Sequence, residues 1–260
     1  MTIQTLVSAL QQNTEALPDK MGLEADAIII NQCDEYSYSE TDADGRKIKV
    51  FNCNDRGVGL SRNTALMRAD ADIVLFSDED IIYEKGYTET ILKAFEERTE
   101  ADILIFNLEV DESRRTYFNT SEHKVHWYNC GRYPTYSFAC RRERLISHNI
   151  TFNLNFGGGT PYCNGEDSLF ISECLKKGLK VVALPITIGR EEVRPSTWFK
   201  GYNEKFFFDR GVLYHFLYGR MARVWGLRFI FKNKGEMCKE ITPGKAYSLL
   251  SEGIDHGAGM

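Results

Sequence analysis

The sequence lacks several features that would assign the chain to a membrane or secreted class. No apolar run approaches the roughly 18 residues that a membrane-spanning helix needs. Residues 1–7 contain no basic segment, so we expect no secretory signal. The 7 cysteines are an odd number and include no Cys-x-x-Cys pair. Because this pattern is typical of reduced thiols rather than of a disulfide framework, we expect a cytoplasmic protein.

An excess of positive charge is also absent. The 32 basic and 37 acidic residues give a net charge of −5, which disfavours non-specific binding of nucleic acid. The chain has no internal repeat and no low-complexity tract, and its 43% hydrophobic and 27% charged residues are ordinary for a globular protein. A length of 260 residues accommodates one α/β domain with a C-terminal extension.

Apolar, β-branched segments alternate with segments of helical spacing. We predict strands over 2–10, 27–32, 48–52, 72–76, 101–108 and 179–184. We predict helices over 61–69, 86–97 and 164–177, the first capped by Ser61 and the last by Asn164. This alternation predicts an α/β fold with a mostly parallel sheet and helices on both faces. Aromatic and basic residues become frequent after Phe206, so we divide the chain into an α/β domain over 1–205 and a helical extension over 206–260.

Three acidic residues, Asp78-Glu79-Asp80, follow the fourth predicted strand, and strand alternation places Asp78 and Asp80 on the same side. Ligands of open α/β sheets bind beyond the carboxyl ends of the strands. Two carboxylates about 5 Å apart repel each other by roughly 3 kcal/mol at an effective dielectric constant near 20. A hard divalent cation, completed by phosphate oxygens of a substrate, would relieve that repulsion. A solvated acidic turn is the alternative interpretation.

A second acidic pair, Glu166-Asp167, follows the glycine-rich segment 157–159. The segment lacks the Gly-Lys-Ser/Thr ending of a P-loop, which disfavours an NTP cradle of that kind. A carboxylate here is competent as a general base if it reaches the attacking oxygen of a substrate. An acid in the first turn of a helix also stabilises the helix, so a capping role for Asp167 remains an alternative.

Together, the segments 51–80 and 157–175 resemble the core of glycosyltransferase family 2, in the form found in bacterial polysaccharide enzymes. The resemblance covers roughly residues 2–189 and implies the GT-A nucleotide-sugar fold. It implies an inverting transfer of a sugar from a nucleotide-sugar, expected to be a UDP-sugar. The acceptor would be a hydroxyl of a saccharide or of a lipid-linked saccharide, in cell-surface polysaccharide synthesis.

The resemblance also implies roles for individual residues. Asp78 and Asp80 would hold Mg²⁺ or Mn²⁺ on the donor diphosphate, and Asp167 would take the proton of the acceptor hydroxyl. Asp34 matches the acidic position that contacts the nucleoside, and Arg62 matches a residue near the base and the diphosphate. The segment after the last strand can fold over the diphosphate in the family, which makes Arg194, with Ser196 and Trp198, candidate donor contacts.

Two departures from the family pattern concern the donor site. The P-x-Y-N-type ending of the first strand is replaced by Val7-Ser8-Ala9-Leu10-Gln11. Many relatives supply a histidine as a further metal ligand near the end of the domain, but residues 186–198 contain none. Water or a glutamate from that segment would then complete the metal site.

Three other functions remain open on the sequence. A haloacid-dehalogenase-type phosphatase uses an aspartate of a D-x-D motif, but that motif ends the first strand there and the fourth strand here. A nucleotidyltransferase carries a glycine-rich loop after its first strand, whereas residues 8–13 contain no glycine. A catalytically silent carbohydrate-binding relative would not need both acidic motifs intact.

The segment 211–234 carries arginines and lysines, has no acid, and intersperses large apolar side chains. A helix packed on the domain is the favoured interpretation, and peripheral contact with an anionic membrane on its cytoplasmic face is the alternative. The rings of Trp127, Tyr128, Tyr133 and Tyr136 are suited to packing or, less favoured, to stacking on an acceptor sugar.

Overall fold

The computed structural model describes residues 1–112, 115, 117–192 and 201–260. The strands are β1 (Ile3–Leu10), β2 (Asp26–Gln32), β3 (Ser37–Ala43), β4 (Arg46–Cys53), β5 (Ile73–Asp78), β6 (Ile81–Tyr83), β7 (Ile103–Glu109), β8 (His123–Lys124), β9 (Phe138–Arg141) and β10 (Val181–Glu191). The α-helices are α1 (Leu17–Met21), α2 (Val58–Leu66), α3 (Tyr87–Glu97), α4 (Arg142–Ser147), α5 (Glu166–Lys176), α6 (Glu204–Tyr218), α7 (Ala222–Met237) and α8 (Pro243–Ala258).

One sheet organises these elements, in the order β3-β4-β2-β1-β5-β9-β7-β10-β6, with β8 paired to β10. The neighbours β4, β2, β1 and β5 are parallel, and β7 is parallel to β10. Ile28, Ile29 and Ile30 of β2 are all buried, because helices cover both faces of the sheet and each face has its own hydrophobic cluster. The predicted α/β architecture with helices on both faces is therefore confirmed.

Antiparallel strands join the parallel part of the sheet, so the sheet is mixed. The four-residue strand β9 inserts antiparallel between β5 and β7, and its short run gave no periodic signal. Strand β3 forms an exposed, antiparallel hairpin with β4 around Asp44 and Gly45. No strand was predicted there, because β3 is polar and buries almost nothing.

Glycines occupy the N-cap positions of the two helices next to the acidic motifs, so both predicted caps, Ser61 and Asn164, are wrong. Helix α2 begins at Val58 after Gly57, and α5 begins at Glu166 after Gly165. Ser61 lies inside α2, where its buried hydroxyl accepts a hydrogen bond from Ser8 Oγ at 2.8 Å. Asn164 Nδ2 donates to Cys163 Sγ at 3.4 Å instead of capping α5. The acids of α5 thus begin the helix without a side-chain cap before them.

Three helices, α6 to α8, confirm the helical C-terminal extension. A Cβ atom on Gly211 would overlap the backbone carbonyl of Leu250, and one on Gly253 would overlap that of Phe208. Helices α6 and α8 therefore pack backbone against backbone. Phe156 of the α/β part joins the same hydrophobic cluster as these helices, and the exact boundary between 205 and 206 stays a prediction. Among the described residues, no helix has the length and apolar character needed to cross a membrane.

Candidate active site

Arg62 joins the two acidic motifs. Its side chain is only 4% exposed, and its Nη2 donates to Asp78 Oδ1 at 2.8 Å while its Nη1 donates to Glu166 Oε1 at 2.9 Å. The arginine comes from α2, Asp78 from the end of β5 and Glu166 from the start of α5. One guanidinium therefore fixes three elements at the carboxyl edge of the sheet.

The charges around Arg62 decide its protonation. Burial alone would lower the pKa of Arg62, but the carboxylates of Asp78 and Glu166 outweigh burial and raise that pKa above its ordinary value. Its Nε has no hydrogen-bond partner in the part of the chain that the structure describes. Removing one partner of a buried ion pair lowers the free energy of unfolding by about 3–5 kcal/mol, because the other charge is left uncompensated.

Gly157 makes room for the Glu166 side chain. Its φ of +104° is strained for other residues, and a Cβ there would lie 2.6 Å from Val58 Cγ1 and 2.9 Å from Glu166 Cδ. The glycine-rich segment can therefore pass directly over the carboxylate. This close approach serves the Arg62–Glu166 pair, which the sequence analysis did not identify.

Asp167 has the titration behaviour of a base that works near neutral pH. Burial, followed by the negative charge of Glu166, raises the pKa of Asp167 to about 7. Its Oδ1 accepts from the Ser168 backbone N at 2.6 Å and from Ser168 Oγ at 3.1 Å, which limits the rise and holds the carboxylate in place. A carboxylate with a pKa near the working pH is suited to taking a proton from a hydroxyl.

Glu79 binds the end of β1 and secures the acidic turn. Its Oε2 accepts from the Leu10 backbone N at 3.0 Å, and its Oε1 accepts from Gln12 Nε2 at 3.3 Å. The backbone oxygen of Asp80 accepts from Glu192 N at 2.7 Å. The turn 78–80 is thus tied to the ends of both β1 and β10.

The donor set at this turn fits a hard cation. Asp78 uses one carboxylate oxygen on Arg62, and Asp80 follows two residues later. Within residues 1–112, 115, 117–192 and 201–260, no group of three His, Cys, Asp or Glu side chains is placed to hold a metal ion. Mg²⁺ or Mn²⁺ held here would therefore complete its shell with diphosphate oxygens and water.

A groove of about 520 Å³ lies at the ends of β1, β2 and β4. Asp34 lines it, is 81% exposed, and pairs with Arg56 at 2.7 Å. A chain of amides forms its floor: Asn31 Oδ1 accepts from Gln12 N at 3.1 Å, and Asn31 Nδ2 donates to Asn52 Oδ1 at 2.9 Å. Sequence analysis missed these amides, because the expected P-x-Y-N-type ending of β1 is absent.

The structure brings Arg62, Asp78 and Glu166 into contact and places Asp167 beside Glu166. Asp34 lies in a separate groove at the same sheet edge. Arg194, Ser196 and Trp198 lie outside the described residues, so their contact with a donor stays a prediction.

Comparisons with known proteins bear on the family and the fold of this chain. The model of glycosyl transferase family 2 matches residues 4–176, more than half of the chain. No curated protein sequence matches the chain. Among solved structures, Staphylococcus aureus TarS 1–349 in complex with UDP-GlcNAc gives a TM-score of 0.63 at 16% identity, covering 92% of this chain and 74% of that one. Mannosyltransferase PcManGT from Pyrobaculum calidifontis, in complex with GDP-Man and Mn²⁺, gives 0.54 at 13% identity, covering 99% and 75%.

The structural neighbours show the fold, and the family model shows the family. The resemblance noted in the sequence is confirmed, and so is the α/β fold of GT-A type. The chain therefore belongs to glycosyl transferase family 2 and is a nucleotide-sugar glycosyltransferase.

Proposed function

We propose that this enzyme inverts the anomeric centre while it moves a sugar from a UDP-sugar to a hydroxyl of a saccharide or lipid-linked acceptor, in cell-surface polysaccharide synthesis. The observation that carries the proposal is Asp167, a carboxyl with a pKa near 7 placed beside the Arg62 ion pairs. As the acceptor oxygen bonds to the anomeric carbon, the bond from that carbon to the diphosphate breaks. The acceptor proton passes to Asp167.

Asp78 and Asp80 are proposed to hold Mg²⁺ or Mn²⁺, which supplies positive charge to the departing diphosphate. The Mn²⁺ in the PcManGT structure supports a divalent ion. Arg62 is proposed to act on the donor mainly through Asp78, because its Nη1 and Nη2 already bind carboxylates. By holding Asp78, Arg62 keeps one carboxylate oxygen oriented while the other remains available for the cation.

The nucleoside is proposed to lie in the groove that contains Asp34 and the Gln12–Asn31–Asn52 amides. Amides and carboxylates can recognise the donors and acceptors of a base and a ribose. The UDP-GlcNAc in the TarS complex supports UDP as the nucleotide. Family membership argues against the phosphatase and the nucleotidyltransferase, and hydrolysis of a nucleotide-sugar would separate an active enzyme from a silent relative.

A cytoplasmic location is supported by the cysteines, all 7 of which are unpaired. Peripheral membrane contact through 211–234 is supported by α7, where Val224, Leu227 and Phe231 share an exposed face at i, i+3 and i+7. The opposite face, with Ala222, Gly226 and Ile230, is buried. Basic residues flank the exposed face, as they do in helices that lie on anionic lipid.

Replacing the base should separate binding from chemistry. We expect Asp167→Asn to retain affinity for UDP with Mn²⁺ while transfer falls at least about a hundredfold, the usual scale of general-base catalysis. Steady-state kinetics and calorimetry measure the two quantities. Unchanged turnover would remove Asp167 from the mechanism.

The same variant should change how stability depends on pH. Because the folded-state pKa of Asp167 is raised to about 7, its contribution to stability is fully present below the unfolded pKa near 4 and is lost as pH rises through 7. Between pH 5 and 8 we expect the free energy of unfolding of wild type to fall by about 2 kcal/mol more than that of Asp167→Asn. Denaturant titrations across that range measure the difference, and parallel profiles would contradict the raised pKa.

Removing the second carboxylate of the turn should weaken metal-dependent binding. We expect Asp80→Ala to lower the affinity for UDP with Mn²⁺ by about tenfold or more and to leave the weak metal-free binding unchanged. Asp70→Ala is the matched control, because Asp70 precedes the opposite end of β5 and is 73% exposed. Calorimetry that gives Asp80→Ala the affinity of the control would exclude the metal role.

Membrane contact predicts a specific loss. We expect Val224→Ser/Phe231→Ser to reduce sedimentation with phosphatidylglycerol vesicles about tenfold or more, because the variant removes exposed apolar area from one face of α7. Neutral phosphatidylcholine vesicles should bind neither protein. Equal sedimentation of wild type and variant with the anionic vesicles would rule out contact through this face.

A further inference from the structure

A second cavity, of about 370 Å³, lies between the C-terminal helices and the segment 117–132. One face of α7 forms a wall with Trp225, Arg228, Phe229 and Lys232, which follow each other at i, i+3, i+4 and i+7. This cavity is separate from the Asp34 groove, since none of the described residues lines both. Its volume is within the range of small-ligand sites.

The charge of this cavity has one sign. Arg132, Arg228 and Lys232 line it, and none of the described lining residues is acidic. The chain as a whole carries a net charge of −5, so a wall of three cations departs from the average surface. Arg228 and Lys232 are exposed and can reach a ligand in the cavity. A site of this kind attracts an anion, and desolvation inside a cleft strengthens that attraction.

Aromatic rings supply the remaining walls. Trp225 stacks on Tyr218 with ring centroids 4.9 Å apart, and Trp127 contacts Trp225 edge to face at 5.9 Å. Tyr128, on the opposite wall, is 51% exposed. Ring faces of this kind pack against the C–H faces of sugars, while the phenol and indole groups accept or donate hydrogen bonds. The cavity thus combines an anion site with a surface for a sugar ring.

The floor of the cavity borders the base. Gly131 lines it, and a Cβ on Gly131 would lie 3.5 Å from Ser168 Oγ. Ser168 in turn binds the Asp167 carboxylate. Burial and, to a smaller extent, the charge of Asp167 raise the pKa of the neighbouring Cys130 thiol to about 11. The cavity therefore approaches Asp167 from its Ser168 side, although Asp167 is not among the described residues that line it.

We propose that this cavity binds the acceptor and that the acceptor is an anionic saccharide, a sugar whose phosphate lies against Arg228 and Lys232 while its hydroxyl faces Asp167. The inference rests on the proposed function, since it gives the acceptor of that reaction a chemical class. The phosphate belongs either to a soluble sugar phosphate or to the phosphate link of a lipid-linked sugar. Both sources present the same group to Arg228 and Lys232.

Ligand-observed NMR with glucose 1-phosphate tests the proposal. Titrations are run with and without UDP and Mg²⁺, so that occupation of the donor site does not mask or mimic binding. We expect Arg228→Gln/Lys232→Gln to weaken binding of glucose 1-phosphate at least tenfold relative to wild type. Lys234→Gln/Lys239→Gln is the matched control, because it removes the same charge from residues outside the cavity.

Two comparison ligands define what the cavity recognises. Methyl glucoside, which lacks the phosphate, should bind at least tenfold more weakly than glucose 1-phosphate, and inorganic phosphate should also bind more weakly because it lacks the ring. A decyl phosphodiester of glucose that binds more tightly than glucose 1-phosphate would assign the lipid-linked source. Equal affinities for the decyl phosphodiester and for glucose 1-phosphate would indicate that the acceptor is a soluble sugar phosphate.

The outcomes that overturn the proposal are distinct from those that overturn the proposed function. If glucose 1-phosphate shows no binding at 10 mM, about the weakest affinity such a site needs, or binds the cavity variant as tightly as the control, the acceptor assignment fails even where UDP binds. If Arg228→Gln/Lys232→Gln loses binding to phosphatidylglycerol vesicles but binds glucose 1-phosphate as wild type does, these cations contact membrane rather than acceptor. If UDP with Mg²⁺ does not bind wild type, the donor function fails while the cavity result still stands.

Discussion

The two ion pairs of one buried arginine hold the functional edge of this protein together. Arg62 places a helix, a strand end and a second helix at fixed positions, because a planar guanidinium can satisfy two carboxylates only in a narrow range of geometries. Without it, Asp78, Glu166 and Asp167 would be three neighbouring acids with no cation among them. Their mutual repulsion would then protonate or separate them.

This arrangement links the donor side of the site to the acceptor side. Asp78 belongs to the proposed cation site, and Glu166 adjoins the proposed base. Glu166 also contributes to the raised pKa of Asp167, so the group that binds Arg62 tunes the group that would take the proton. Under the proposed function, a diphosphate and its metal would change the field at Asp78, and the change would reach Asp167 through the side chain of Arg62. The site therefore works as a single electrostatic unit.

Sequence patterns predicted the α/β fold, and the resemblance named the family, because β-branched runs and the acidic motifs have strong local signals. The hairpin strand β3 and the inserted strand β9 escaped prediction, since one is polar and the other is four residues long. Asp34, Arg62, Asp78, Asp80 and Asp167 could be named from the sequence, but their partners could not. The pairing of Arg62 with Glu166 spans 104 positions, and only the folded chain brings such residues together.

The same limit applies to the helix starts and to the C-terminal cavity. Ser61 and Asn164 have the composition of caps, yet Gly57 and Gly165 precede α2 and α5, because both positions have a positive φ, +124° and +111°, that disfavours other residues. A Cβ on Gly165 would also overlap the side chain of Leu213. Arg228 and Lys232, which line the cavity, belong to the basic segment 211–234 in the sequence. Only the packing of α7 shows that these two residues lie on a cavity wall, whereas Val224, Leu227 and Phe231 lie on the outer face of the same helix.

The glycine contacts between α6 and α8 have a consequence for how this enzyme can diversify. Since those two helices touch through their backbones, their spacing tolerates almost no change in side-chain size. Helix α7 presents much of its surface outward, so its residues can vary while the scaffold beneath stays constant. Substitutions on α7 could in this way change the molecule that binds at this helix, while the α/β part that carries the proposed nucleotide-sugar site stays unchanged.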